Sequence, residues 1–291
     1  MRRQTAVSFV SLLTLTVLGT CPASAAVSVA FSDFSTSTGL QLNGNATAGP
    51  GVGNVLRLVP ATANQSGSAF STTQVNASDF STVFQFRLSD RGGIVDGSGH
   101  PGADGFTFTL QTVANTAGGS GGGLGYQGLS PSIAVEFDTF ANTGAPIFDP
   151  SSNHLGIDVN GSVVSVQTVD VAPDFDDGNL WTAWIDYNNA SKTLEVRVNE
   201  TGIRPTLPTL SDNIDIFGVL GQNTAFVGFT AGTGGAFENH DIVNWQYNDT
   251  FSPITSPPGT VPEPSSFVIF TLASICGGIG IYWKQKRVMR A

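Results

Sequence analysis

Between residues 26 and 250, apolar and polar residues alternate in short runs, and each run stops at Gly, Asn, Asp or Pro. Phe106, Phe108 and Leu110 alternate with Thr107 and Thr109. Ile133, Val135 and Phe137 alternate with Ala134, Glu136 and Asp138, and the same beat recurs at Leu155, Ile157 and Val159 and at Leu194, Val196 and Val198. A period of two places one side of a strand in a core and leaves the other free for solvent or a site. No stretch keeps helical spacing over three turns, and no repeat marks a propeller or solenoid. Glycine-rich loops such as 117–125 separate the runs. Many short strands joined by such turns predict an all-β fold, an antiparallel β-sandwich or jelly roll, in a single domain long enough to bury a full core.

The two ends read differently. Arg2 and Arg3, the apolar run Val7 to Leu18, and Ala23-Ser24-Ala25 form the three parts of a secretory signal peptide over residues 1–25, with cleavage expected after Ala25. A lipoprotein reading through Cys21 fits less well, because Gly19-Thr20 departs from a lipobox. At the other end, a Pro/Ser/Thr linker (251–261) can be neither helix nor central strand. Phe267 to Trp283 follows as an uncharged apolar run of about the minimum length for a transmembrane helix. Tyr282 and Trp283, then Lys284, Lys286, Arg287 and Arg290, sit where interfacial aromatics and cytoplasmic charges belong. A plain anchor explains this. Val261-Pro262-Glu263-Pro264, the apolar run and the basic end also resemble, in that order, a PEP-CTERM sorting signal over 262–291. That resemblance implies an exosortase-type processing enzyme as partner, and export to the surface or exopolysaccharide matrix of a Gram-negative bacterium.

Both cysteines, Cys21 and Cys276, fall in these ends, so the domain between them relies on packing and any bound metal rather than a disulfide. That domain carries 21 acidic residues against 6 basic ones. A surface so acidic repels nucleic acid and anionic lipid, which excludes those partners.

The most informative stretch is SIAVEFDTFANTGAPIFDPSSNHLGIDVNG (132–161). Glu136 and Asp138 point to one face of a strand whose other face is Val135 and Phe137. Adjacent carboxylates repel unless a cation lies between them. Asn142 and Asp149 follow in a loop and His154 opens the next strand, which adds oxygen ligands suited to calcium and an imidazole suited to a transition ion. A polar sheet edge with a turn-forming Asp-Pro-Ser-Ser-Asn segment accounts for the same residues.

E-x-D-x-F-x-N, an Asp, a His five residues later, and Gly-Ile-Asp-Val-Asn together resemble the metal-binding segment of the legume (L-type) lectins. The resemblance implies a concanavalin A-like sandwich that binds carbohydrate. Carried over, it assigns Glu136, Asp138, Asp149 and His154 to a manganese-like ion. It assigns Asp138, Phe140 through its carbonyl, Asn142 and Asp149 to Ca2+. Ala103-Asp104-Gly105-Phe106-Thr107-Phe108 is similar to the family's A-D-G-x-x-F strand start, in which the Asp follows a cis peptide and accepts from sugar hydroxyls. Gly121 to Gly125 resembles the glycine loop whose backbone N–H meets the sugar, here Gly122. The Phe140 ring would cover the apolar face of the sugar and the Asn142 amide would donate to it. LWTAWIDYNNASKTLEVRVNE (180–200) resembles the paired strands of the back half. Residues 225–247 resemble the closing segment, whose turn Gly232 to Glu238, with Gly235, tunes sugar choice; Glu238 and His240 are expected to support structure.

Two rivals share the architecture. Laminarinase-type hydrolases use E-x-D-x-x-E, but the second glutamate position is Ala141, so the carboxyl pair of a retaining mechanism is absent. A structural or adhesion protein without a sugar site would have no need to keep Asp104, the glycines, Phe140 and Asn142. The expected protein is a Ca2+/Mn2+-dependent, non-enzymatic lectin with a glycan or exopolysaccharide as ligand.

Overall fold

The computed structural model describes residues 27–116, 121–145 and 147–259. The expected export signal, the sorting tail with its apolar run 267–283 and both cysteines lie outside them. Among the described residues no helix is long and apolar enough to cross a membrane.

The alternating runs form sixteen strands among these residues. They are β1 (Val27–Phe31), β2 (Leu40–Gly44), β3 (Thr47–Gly49), β4 (Val55–Val59), β5 (Ser66–Ser71), β6 (Val75–Asn76), β7 (Phe80–Gly93) and β8 (Gly105–Gln111). After these come β9 (Ser132–Asp138), β10 (His154–Val159), β11 (Gln167–Asp170), β12 (Trp181–Asn188), β13 (Thr193–Asn199), β14 (Leu210–Asn213), β15 (Thr224–Gly232) and β16 (Ala236–Asn248). All pairings are antiparallel. One sheet runs β11-β10-β9-β8-β15-β5-β2 with β6 joined to β15, and the other runs β14-β13-β12-β7-β16-β4-β3 with β1 joined to β16. One short helix, α1 (Ile216–Leu220), was not legible as a periodicity. Its local signals are an Asp215 side chain accepting from the Gly218 N–H and a left-handed Gly221 closing it.

The apolar halves of the strands meet between the sheets. Phe84 and Phe86 of β7 pack on Phe106 and Phe108 of β8 and Phe137 of β9, with Phe106 and Phe137 stacked at 4.6 Å between ring centroids. Phe229 and Trp245 extend the cluster. An aromatic core of this kind removes a large apolar area from water and restricts how the sheets can slide.

Register decides where the site forms. Ser66, Gly232, Gly105, Asp138, His154 and Asp170 stand opposite one another across consecutive strands of the first sheet. Residues 104, 138–139 and 232–235 therefore share one pole. The other pole holds Thr224 beside Asn76 and Val27 beside Asn248. The Pro/Ser/Thr segment leaves β16 there and is packed on the body rather than free. The Ser252 N–H donates to Ser81 Oγ at 3.1 Å, Pro257 is buried, and Gly259 lies against Ser32.

Candidate metal centre and binding site

Glu136 and Asp138 occupy the face of β9 opposite the core, as alternation requires, but they are 1% and 2% exposed rather than part of an open polar edge. The loop 139–153 folds back over them. Its closure is a reciprocal clasp in which the Asn142 N–H donates to Asp149 Oδ2 at 2.6 Å and the Asp149 N–H donates to the Asn142 carbonyl at 3.2 Å. That clasp brings Asp149 to Glu136, Asp138 and His154, and one ligand atom from each of the four lies within 4.8 Å of the others.

Burial makes this cluster electrostatically expensive. It pushes the Glu136 carboxyl up to about 7, with Asp149 adding repulsion, and it raises Asp138 well above the ordinary carboxylate range, where Glu136 and Asp149 add to the shift. Burial raises Asp149 too and lowers His154, leaving a neutral imidazole. His154 Nε2 lies 3.0 Å from Glu136 Oε1, while Glu136 Oε2 is buried without a partner. Three carboxylates and an imidazole around one point, with an orphan oxygen, form a donor set that fits a divalent ion. Asp158, two residues past Gly156 on the same face, belongs to the shell and was missed in the sequence. It accepts from Ser165 Oγ at 2.7 Å, and burial, with the Glu136 charge adding to it, raises its carboxyl well above the ordinary range. The alternation His154, Gly156, Asp158 was the available signal.

Phe140 and Asn142 continue from Asp138. The Phe140 N–H donates to Asp138 Oδ1 at 2.8 Å, and Asn142 Nδ2 donates to the Phe140 carbonyl at 3.1 Å. For both oxygens to meet a calcium ion, the Asn142 amide must turn over. The Asp96 carboxylate also reaches this loop, accepting from the Ala141 N–H at 3.1 Å. His100, in the same glycine-rich loop as Asp96, is exposed and its Nδ1 lies 3.3 Å from Asp174 Oδ2.

Asp104 follows a cis Ala103–Asp104 peptide. Its backbone is held on both sides, its N–H donating to the Gly232 carbonyl and its carbonyl accepting from the Thr139 N–H, each at 3.1 Å. Burial lifts its carboxyl to about 7, against hydrogen bonds from the Asn142 side chain and the Gly234 backbone. Oδ2 keeps no partner. Gly122 faces the Asn142 side chain so closely that a Cβ would stand 3.0 Å from Oδ1, and at Gly232 a Cβ would stand 2.4 Å from the Gly121 carbonyl. The glycine loop is tied to the sheet by Thr230, which donates to the Leu124 carbonyl at 2.7 Å. Gly234, rather than Gly235, lies against Asp104, and Gly235 sits under Ile94. Asp104, Gly122, Asn142 and the metal cluster are thus brought together, and Gly235 stands one residue away. Thr139 Oγ1 donates to the buried Glu238 at 2.8 Å, and His240 Nε2 lies 3.4 Å from the same carboxylate, so both act beneath the site as support.

A profile of the legume lectin domain matches residues 26–260. The chain is 36% identical over 199 residues to the basic agglutinin of Psophocarpus tetragonolobus, covering 65% of this chain and 74% of that protein. It is 33% identical over 227 residues to L-type lectin-domain containing receptor kinase VIII.1 of Arabidopsis thaliana, covering 75% of this chain but only 29% of the kinase. Among solved structures, basic winged bean lectin with Tn-antigen superimposes with a TM-score of 0.62 at 31% identity, over 79% of this chain and 98% of that one.

Proposed function

The chain belongs to the legume lectin family of carbohydrate-binding proteins, and from that premise we propose that it is a cation-dependent lectin whose sugar site centres on Asp104. The family is one of binding proteins, not hydrolases, in keeping with Ala141 at the position where a laminarinase-type enzyme carries its second glutamate. One observation carries the reading: the Asn142–Asp149 clasp draws together the four-residue donor set and the Asn142 side chain that faces Asp104 and Gly122.

In this reading Glu136, Asp138, Asp149 and His154 hold the transition ion, and Asp138, Asp149, Asn142 and the Phe140 carbonyl hold Ca2+. Bound cations neutralise the buried carboxylates and lock the loop. Asp104 then accepts from sugar hydroxyls, since its Oδ2 has no protein partner. The Gly122 N–H and the Asn142 amide donate, and the Phe140 ring lies along the sugar's C–H face. Gly234 beside Asp104, with Gly235 next to it, borders the pocket on the side where the ligand's substituents differ. The natural ligand is a glycan or exopolysaccharide. Single-site affinity is weak and display in many copies supplies avidity. The terminal segments direct export and processing by an exosortase-type enzyme or retention at the membrane.

The test is a glycan array on the purified protein with Ca2+ and Mn2+, repeated after chelation and with Asp104→Ala. Binding that needs metal and is lost in Asp104→Ala is the expected result. A blank array from folded, metal-loaded protein would overturn the lectin reading in favour of a structural adhesion role, and binding that survives chelation would displace the site.

A further inference from the structure

The chain passes from β7 to Asp104 through a tight hairpin. Val95 and Pro101 form an antiparallel bridge across it, and within it the Asp96 N–H donates to the His100 carbonyl at 3.4 Å and the Gly99 N–H to the Asp96 carbonyl at 3.1 Å. Ser98 gives both its N–H, at 2.7 Å, and its hydroxyl, at 2.5 Å, to Asp96 Oδ1. One oxygen of this half-buried carboxylate therefore shapes the hairpin. The other, Oδ2, reaches outside it and accepts from the Ala141 N–H at 3.1 Å.

That contact crosses between the two sheets. β7 lies in the second sheet, and the loop that holds Ala141 follows β9 of the first. Ala141 stands between Phe140 and Asn142, the residues assigned above to both calcium and the sugar. Three backbone N–H groups in a row each donate to a different carboxylate: Phe140 to Asp138 Oδ1 at 2.8 Å, Ala141 to Asp96 Oδ2 at 3.1 Å, and Asn142 to Asp149 Oδ2 at 2.6 Å. These are charge-assisted bonds, stronger than neutral ones. Asp138 and Asp149 belong to the four-residue donor set, so a bound ion shares their oxygens. Asp96 lies outside that set, and its hold on the loop does not depend on an ion.

The same hairpin touches the opposite wall. The Ile94 N–H donates to the Gly235 carbonyl at 3.2 Å, beside the Gly234 that lies against Asp104. Asp104 itself follows Pro101 by three residues. One short connection thus meets the glycine turn, the calcium-assigned loop and the start of β8.

We propose that Asp96 is a positioning residue that holds the Phe140–Asn142 loop in its ion-ready conformation before calcium arrives, and through that loop raises the affinity for calcium and sugar. A loop ordered in advance has less freedom to lose on binding. The ligands rest on the lectin reading, but the tether is a property of the metal-free protein. It predicts a split between the two ions. Glu136 and Asp138 are fixed in β9 and His154 in β10, and Asp149 by its clasp, so the transition ion is nearly indifferent to Asp96.

The test has two parts. Amide hydrogen exchange of the metal-free protein, resolved at Ala141, should show protection in wild type and exchange at least tenfold faster in Asp96→Ala. Calorimetric titration of the Mn2+-loaded protein with Ca2+ should give a Kd about tenfold weaker in Asp96→Ala, with Mn2+ affinity within twofold of wild type. Ser98→Ala leaves Oδ2 in place and should keep Ala141 protected. An unprotected Ala141 in metal-free wild type would overturn the tether, and that measurement needs no variant. Equal Ca2+ affinity in the two proteins, or equal weakening of both ions as a general loss of stability would produce, would overturn the positioning role. Wild type that takes up no Ca2+ would overturn the cation reading of the site instead, and exchange at Ala141 would then decide the tether alone.

Discussion

The acid cluster on the first sheet is unbalanced in charge, whereas the arginine cluster on the second is paired within itself. Glu136, Asp138 and Asp149 crowd negative charge around a buried point with only a neutral imidazole beside them. On the outer face of β12 and β13, Arg204 Nη2 donates to Asp186 Oδ2 at 2.5 Å and Arg197 Nη2 to Glu195 Oε2 at 2.9 Å, so two guanidinium groups meet two carboxylates. Arg57 and Asp241, fully matched, need nothing more. A fold can bury matched pairs at little net cost, but an unmatched cluster costs stability until a ligand completes it. The sign of the mismatch then names the ligand of the first cluster: cations.

The largest expected effect comes from Asp138→Asn. Metal at about a thousand times its Kd stabilises the native state by about 4 kcal/mol, which Asp138→Asn should remove. The metal-free form of the variant should melt higher than metal-free wild type, because a buried like charge is gone. Calorimetric scans with and without Ca2+ and Mn2+ check both statements, and a variant that keeps its metal-dependent rise in Tm would break the comparison.

Next in size is the pH response of the metal-free protein. Burial holds the Asp104 and Glu136 carboxyls at about 7 in the folded state, above their unfolded values. Below about 7 the folded protein takes up protons that the unfolded chain does not bind until it nears pH 4. These two carboxyls should therefore each add about 2 kcal/mol to metal-free stability as pH falls from 8 to 5.5. The metal-loaded protein should show the opposite slope, since ion binding needs ionised carboxylates. Matching slopes in denaturation curves would mean that the acids hold no cation.

Gly122→Ala places a methyl 3.0 Å from Asn142 Oδ1. It should weaken sugar binding about tenfold, some 1.4 kcal/mol, while sparing the metal-dependent Tm; titration against the array's best ligand measures it.

The two clusters also differ in how much of them a reader of the sequence could find. Strand alternation at 133–138 and 155–159 announced a sandwich because side-chain direction in a strand has a period of two wherever the strand lies. Glu136, Asp138, Asp149 and His154 sit within nineteen residues, so local spacing and a family resemblance were enough to name them. What those could not supply was the burial that turns a polar edge into a charged cavity, the clasp between Asn142 and Asp149, or the placement of Gly234 rather than Gly235 against Asp104. The five-residue α1 was missed because one turn carries no periodicity, only an Asp and a Gly at its ends.

The arginine cluster had no local signature. Asp186, Arg197, Arg204 and Thr255 come from two strands, a loop and the segment after the last strand, and sheet pairing and the path of the packed C-terminal segment bring them together. Composition and alternation, being local properties, determined the class of fold and the acidity, and local spacing with a family resemblance pointed to the residues of one site. Which charges end up matched depends on contacts between distant segments, and only the tertiary structure decided that.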